Sequence, residues 1–125
     1  MSVESQFAKP ESGRLLRPEE AALIRALLVG VYPAGVLESA LRDSRVTDMQ
    51  DGGMGSIRFL GPSPKSFGMA LVEAQYLDSE GVLVSIAVNA DKQGELFELD
   101  FWKVDFSSLK RYPNPSDVSG ISMPK

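Results

Sequence analysis

Two Asp-x-x-Gly tetrads, Asp78-Ser79-Glu80-Gly81 and Asp91-Lys92-Gln93-Gly94, cut the middle of this chain into three segments of alternating side chains. The segments read FGMALVEAQYL, VLVSIAVNA and ELFELDFWKV. A period of two marks a strand with one buried face, and a turn of Asp and Gly between two such runs marks a hairpin. Three strands joined so tightly are expected to lie side by side and antiparallel.

The turns also give a register. In the first, a type I turn with Gly81 in the left-handed bulge position sets Asp78 opposite Val82. Val72 then pairs with Val88, Ala74 with Ile86 and Tyr76 with Val84. At the second turn, pairing Ala90 with Glu95 brings Phe97, Leu99 and Phe101 beside Val88, Ile86 and Val84. The bulged turn applied there instead would mate Phe97 with Asn89, and a slip of one residue turns an apolar set outward, so it is rejected. The expected core face is Val72, Ala74, Tyr76, Val84, Ile86, Val88, Phe97, Leu99 and Phe101.

The opposite face follows from the same alternation. Leu77, Leu83 and Trp102 form one row, then Gln75, Ser85 and Asp100, then Glu73, Ala87 and Glu98, and last Leu71, Asn89 and Leu96. Opposed side chains sit about 5 Å apart and successive rows about 7 Å apart, so these residues make a continuous surface. It is an acidic band between rows that carry Leu and Trp.

Upstream, DGGMGSIRF raises the question of a phosphate-binding loop. Such a loop needs a helix after it and, in its P-loop form, a Lys followed by Ser or Thr. Here SIRFL alternates like a strand, no Lys follows Gly55 until Lys65, and Asp51 would repel an anion. The expectation is a two-residue Asp51-Gly52 hairpin with Val46 across from Ile57, flanked by strands RVTDMQ and GSIRFL. Gly53 and Gly55 then permit a bulge or the close approach of another segment. Lys65, in the linker RFLGPSPKSFG, reads as a solvated charge.

The first third is helical. Pro18 suits a first turn, Glu19 and Glu20 suit its positive dipole end, and Leu23, Ile24, Leu27 and Leu28 recur at helical spacing before Gly30. A second helix from about Pro33 places Val36, Leu37, Ala40 and Leu41 on one side. The fold class expected is α+β: two N-terminal helices packed on one face of a four- to five-stranded antiparallel β-meander. Residues 14–112 form one domain in this reading, between a flexible tail (1–13) and an irregular C-terminal segment (113–125).

Composition narrows function. With 125 residues and a net charge of −4, and with its basic residues scattered singly, the chain does not look built for nucleic acid. No apolar run approaches the ~18 residues of a membrane span, and no secretory signal is recognisable, so a cytoplasmic location is expected. There is no cysteine for disulfide or thiolate chemistry, and no histidine to serve as a general base or metal ligand near neutral pH. Glu73, Glu98 and Asp100 are the one set of carboxylates that could meet Mg²⁺ or Ca²⁺, but no loop adds the further oxygens these ions require, so no metal or cofactor is expected.

The segments RPEEAALIRALL, DGGMGSIRF and DSEGVLVSIAVNADKQGELFELDFWKVDF together resemble a family of short, uncharacterised bacterial proteins marked by a GGMGS-like turn, paired D-x-x-G turns and an ELDFWK-like strand. The resemblance runs from Arg17 to Pro113. It marks a family and brings no chemistry with it. Small α+β proteins of this appearance are often immunity proteins or antitoxins, so it implies binding to another protein. The expected function is therefore a non-enzymatic protein-binding module of immunity or inhibitor type, with no nucleic-acid or membrane partner. Its sheet face of Glu73, Gln75, Leu77, Leu83, Ser85, Glu98, Asp100 and Trp102 would meet a basic partner. A homo-oligomeric accessory protein and a carboxylate- or Mg²⁺-dependent hydrolase are the alternatives.

Overall fold

A computed structural model describes residues 13–123, and the expected N-terminal tail lies outside the described residues apart from Gly13. The elements run β1 (Arg14–Leu15), α1 (Pro18–Leu27), α2 (Ala34–Asp43), β2 (Arg45–Asp48), β3 (Ile57–Phe59), β4 (Phe67–Leu77), β5 (Leu83–Asp91), β6 (Leu96–Lys103) and β7 (Ser119–Ser122), with a short 3-10 turn at Pro115–Asp117. The class is α+β, with two helices and one antiparallel sheet. Among the described residues no helix is long and apolar enough to cross a membrane.

Helix α1 starts where its sequence dictates. Pro18 needs no amide partner in the first turn, and the Glu20 carboxylate accepts the Arg17 amide at 2.8 Å. Glu20 is itself buried, and the Arg14 guanidinium grips it through two bonds of 2.9 Å while also reaching Asp48 at 2.8 Å. This fork ties β1, α1 and β2 together, and a bidentate Arg–carboxylate pair is the strong form of such a contact. Leu23, Ile24, Leu27 and Leu28 are all buried against the sheet. Each such side chain contributes about 2 kcal/mol by leaving water. Helix α2 buries Leu37 and Leu41, but Val36, expected inward, is exposed.

The sheet has seven strands in the order β1-β2-β3-β6-β5-β4-β7, more than the four or five expected. The additions are the two edge strands, β1 and β7. β1 has only two residues, and β7 is exposed at all four positions, so neither carries an apolar alternation. β7 forms within the C-terminal stretch expected to be irregular, pairing Gln75 with Ser119 and Glu73 with Ser122. The order also departs from a meander. β3 pairs with β6, not with its successor β4, so the linker after β3 carries the chain across to the far side of the β4–β5–β6 unit. This is a Greek-key connection. Lys65 in that linker is not a solvated charge: it is only 13% exposed and bonds the buried Asp91 carboxylate at 2.6 Å, pinning the linker to the β5–β6 turn.

The β4–β5 register is the expected one, with Val72, Ala74 and Tyr76 opposite Val88, Ile86 and Val84. The Asp78 amide donates to Val82 O, and Gly81 sits at φ +77°. β5–β6 differs. The bulged turn rejected above is the one that forms: the Asp91 amide donates to Glu95 O, Gly94 takes φ +85°, and Ala90 pairs with Leu96. A bulge then inserts Phe97, and pairing resumes with Asn89 opposite Glu98, Val88 opposite Leu99 and Ile86 opposite Phe101. The extra residue restores the apolar parity that the turn alone would have lost. Leu99 and Phe101 are buried in the core as expected, displaced by two places from the expected pairs.

Phe97 is buried elsewhere. Its ring meets Phe67 edge-on at 6.5 Å and carries the Arg58 guanidinium 4.6 Å above it, outside the helix-covered cluster. Its expected place opposite Val88 is taken by Leu99, and the place opposite Val84 expected for Phe101 is taken by Lys103, which is fully buried. Lys103 Nζ bonds Asp78 Oδ2 at 2.7 Å and donates to Ser108 O at 3.0 Å.

The glycine-rich turn is longer than a two-residue hairpin. Met49 N donates to Ser56 O, so residues 50–55 form the loop, and Val46 lies opposite Phe59 instead of Ile57. Asp51 caps the loop, its carboxylate accepting the amides of Met54 (3.1 Å) and Ser56 (3.0 Å). Gly53, at φ +83°, lets another segment come close: an added Cβ would lie 3.1 Å from Ser108, and the Leu109 amide bonds Gly53 O.

Candidate functional site

The face of the sheet away from the helices is built by the alternate residues of β4, β5 and β6. With the observed register its rows are Leu77–Leu83–Val104, Gln75–Ser85–Trp102, Glu73–Ala87–Asp100 and Ala70–Asn89–Glu98. All eight residues singled out from sequence lie on it, but the β6 members each stand one row away from their expected places. Trp102 is beside Ser85, not Leu83, and Asp100 is beside Ala87, not Ser85.

That displacement creates relief. The central strand contributes small side chains, Ser85 and Ala87, while β4 raises Glu73 and Gln75 on one flank and β6 raises Asp100 and Trp102 on the other. A groove of about 320 Å³ results, closed beyond β4 by Gly120 and Ser122 of β7. Gly120 lies at φ +63°, a left-handed backbone that favours glycine, with the Gln75 side chain 3.5 Å from where a Cβ would sit.

Beside the groove is an apolar corner. Trp102 is 48% exposed, and Phe106, 65% exposed, meets it edge-on at 5.8 Å. Leu77 and Val104 are exposed in the adjoining row. Phe106 holds φ +62°, a left-handed backbone that costs a residue with a Cβ about 1 kcal/mol. Strain of this kind at an exposed aromatic is uncommon and clusters at recognition sites.

The acidic band is broken. Glu98 is taken up by Arg58 at 3.1 Å and by the Asn89 amide at 2.7 Å, so it offers little free charge. Asp100 is half-buried, and its side-chain hydrogen bond comes from the Ser56 hydroxyl at 3.1 Å. Burial pushes its carboxyl above the usual range; the Ser56 bond opposes this, and the negative charges of Glu98 and Asp51 add to it. Glu73 projects from the opposite wall. Among the described residues, no three or more His, Cys, Asp or Glu gather where they could hold a metal ion.

Sequence reasoning missed Val104 and Phe106. Val104 was within reach by carrying the alternation one step past Lys103. Phe106 gave no signal, since its place depends on a turn with unusual backbone. A second cavity, about 310 Å³, lies between α2, the β3–β4 linker and the β5–β6 turn; Tyr32 spans it by donating to Gly94 O at 2.8 Å.

The class of protein this fold and face define is a small α+β antiparallel-sheet protein, helices on one side and an open face on the other. Residues 13–113 match the family described as Domain of unknown function (DUF6984), and the chain belongs to it. No curated protein and no solved structure matches the chain.

Proposed function

We propose that this protein is a non-enzymatic binding module that docks another protein on its open sheet face. The observation that carries this reading is the aromatic pair Trp102–Phe106, exposed beside Leu77 and Val104 and next to a groove walled by two carboxylates. Interface hot spots favour a large aromatic anchor at the centre of a patch with polar groups around it. Uncompensated carboxylates at the rim would speed encounter with a basic surface and penalise an acidic one. An immunity- or inhibitor-type role, in which the face caps a basic partner, is the biological form of this proposal.

The test compares proteins captured from the native host by the wild-type chain, by Trp102→Ala with Phe106→Ala, and by Val29→Ala in the exposed turn after α1. A partner lost with the aromatic pair and kept with Val29→Ala supports the reading. A partner that binds all three equally places the interface elsewhere. Concentration-dependent mass in size exclusion, abolished by the aromatic variant, would instead assign the face to a second copy of the chain.

A further inference from the structure

Three features outside the core invite a ligand: the cavity under α2, the exposed edge at β7, and the groove over β5. Lys65 at the first is already engaged by Asp91, and nothing fixes what would enter. The edge at β7 is four residues long and wholly exposed, and in the hollow of about 430 Å³ beside Ser119, Arg111 is already bonded to Asp117, so nothing fixes what would enter. The groove carries shape and charge together.

Its floor is Ser85 and Ala87, and its walls are one strand away on each side, Glu73 on β4 and Asp100 on β6. Two strand spacings separate the wall backbones by roughly 9–10 Å. A small floor between two carboxylates leaves a slot that a flat cation can enter end-on. The two carboxylates have no arginine or lysine bonded to them among the described residues. Arg58 on this face is committed to Glu98, and Arg111 at its edge to Asp117. Trp102 lies on the same strand as Asp100 and two residues on, so its ring borders the slot lengthwise.

We infer that the groove over β5 receives an arginine side chain of the partner protein, its guanidinium between Glu73 and Asp100 and its aliphatic stem along Trp102. Arginine fits better than lysine for a geometric reason. A guanidinium presents donors on opposite edges of one plane, so it can bond both walls at once while its stem lies along the indole. An ammonium is a compact point charge that reaches one wall and keeps its water on the other. The half-buried state of Asp100, raised above the usual range in the free chain, fits a carboxylate that lacks its cation until the partner arrives. This inference rests on the docking role proposed for the face, and adds the chemistry of the residue that enters it.

The chain has one tryptophan, so a single indole N–H signal reports on the slot. The experiment titrates the intact protein with two Trp-free capped peptides, Gly-Arg-Gly-Arg-Gly and Gly-Lys-Gly-Lys-Gly, following that signal and the amides of Ala87 and Asp100. The expected result is a saturable shift with the arginine peptide, and binding weaker by about tenfold with lysine. Glu73→Gln and Asp100→Asn should each weaken the arginine peptide by about the same factor; Glu73 is exposed, so its variant tests the slot even if Asp100→Asn disturbs Ser56. Equal binding of the two peptides, or binding unchanged in both variants, would overturn the inference. No shift with arginine, while capture of a native partner still depends on Trp102 and Phe106, would remove the arginine slot and leave the docking face standing. Loss of that dependence as well would remove both.

Discussion

The two Asp-x-x-Gly hairpins use the same turn and end in different registers. In both, the Asp carboxylate is buried and organises the turn through backbone amides: Asp78 accepts from Ser79 and Lys110, and Asp91 from Gln93 and Glu95. In both it also pairs with a lysine, Lys103 at 2.7 Å and Lys65 at 2.6 Å. The first hairpin then runs regularly from Tyr76–Val84 to Val72–Val88. The second needs one extra residue, Phe97, before Leu99 and Phe101 can face the core. The turn is thus a local matter of φ angles and amide bonds, whereas parity is decided by which side chains can be buried. A bulge reconciles the two.

Deletions should expose that difference most strongly. Removing Ser85 from the regular hairpin throws Ile86 and Val88 to the wrong face, and the chain should fail to give a cooperative unfolding transition. Removing Phe97 from the second should leave the pairs beyond it unchanged, because it is already the unpaired residue. The loss there should be that of its packing on Phe67 and Arg58, about 3 kcal/mol in urea unfolding, and Phe97→Ala should cost the same. A folded Ser85 deletion, or an unfolded Phe97 deletion, would contradict the comparison.

Breaking the Asp–Lys pairs should also separate the hairpins. Asp78→Ala leaves the fully buried Lys103 ammonium with Ser108 O at 3.0 Å and Glu80 no nearer than 4.0 Å, and should cost about 4 kcal/mol. Asp91→Ala should cost less, since Lys65 keeps some exposure and has Glu95 at 3.5 Å. Adding Lys103→Met to Asp78→Ala should return much of the loss, because an apolar pair needs no desolvated charge.

The same group gives the pH dependence. Burial alone would raise the Asp78 carboxyl, but the Lys103 bond and the amides of Lys110 and Ser79 outweigh it and hold it at about 2. Its ionised form therefore stabilises the fold above about pH 4, and that contribution is lost as pH falls toward 2. The melting temperature should drop across that interval in the wild type and less steeply in the Asp78→Ala, Lys103→Met variant.

Smaller effects should show what the hairpins share. Gly81 and Gly94 sit at φ +77° and +85° with open space where a Cβ would go. Alanine at either should cost about 1 kcal/mol from backbone strain alone, and nearly the same at both. Unequal costs would mean that the turns are not equivalent.

Much of this was legible beforehand because local chemistry and long-range packing agreed. Pro18, Glu19, Glu20 and the Leu23–Leu28 spacing specify α1 within a single turn-by-turn rule, and the alternation of Val84, Ile86 and Val88 identifies the buried face wherever β5 finds partners. The parts that could not be read depend on distant pairings. β3 lies beside β6, the linker that follows it is pinned by Lys65 to Asp91, and neither residue advertises the other. Lys103 goes inward because Leu99 and Phe101 do, and its charge is tolerable only because Asp78 waits there. For the face itself, alternation alone exposes Trp102; the two-residue displacement that puts it beside Ser85 comes half from the bulged turn and half from the bulge at Phe97, which looked like a core residue.

The groove, its two walls and the place of the indole all depend on that displacement, so cross-strand proton contacts between β5 and β6 test it directly. The account predicts nuclear Overhauser contacts joining Ser85 with Trp102 and Ala87 with Asp100. Contacts joining Ser85 with Asp100 and Ala87 with Glu98 would contradict it.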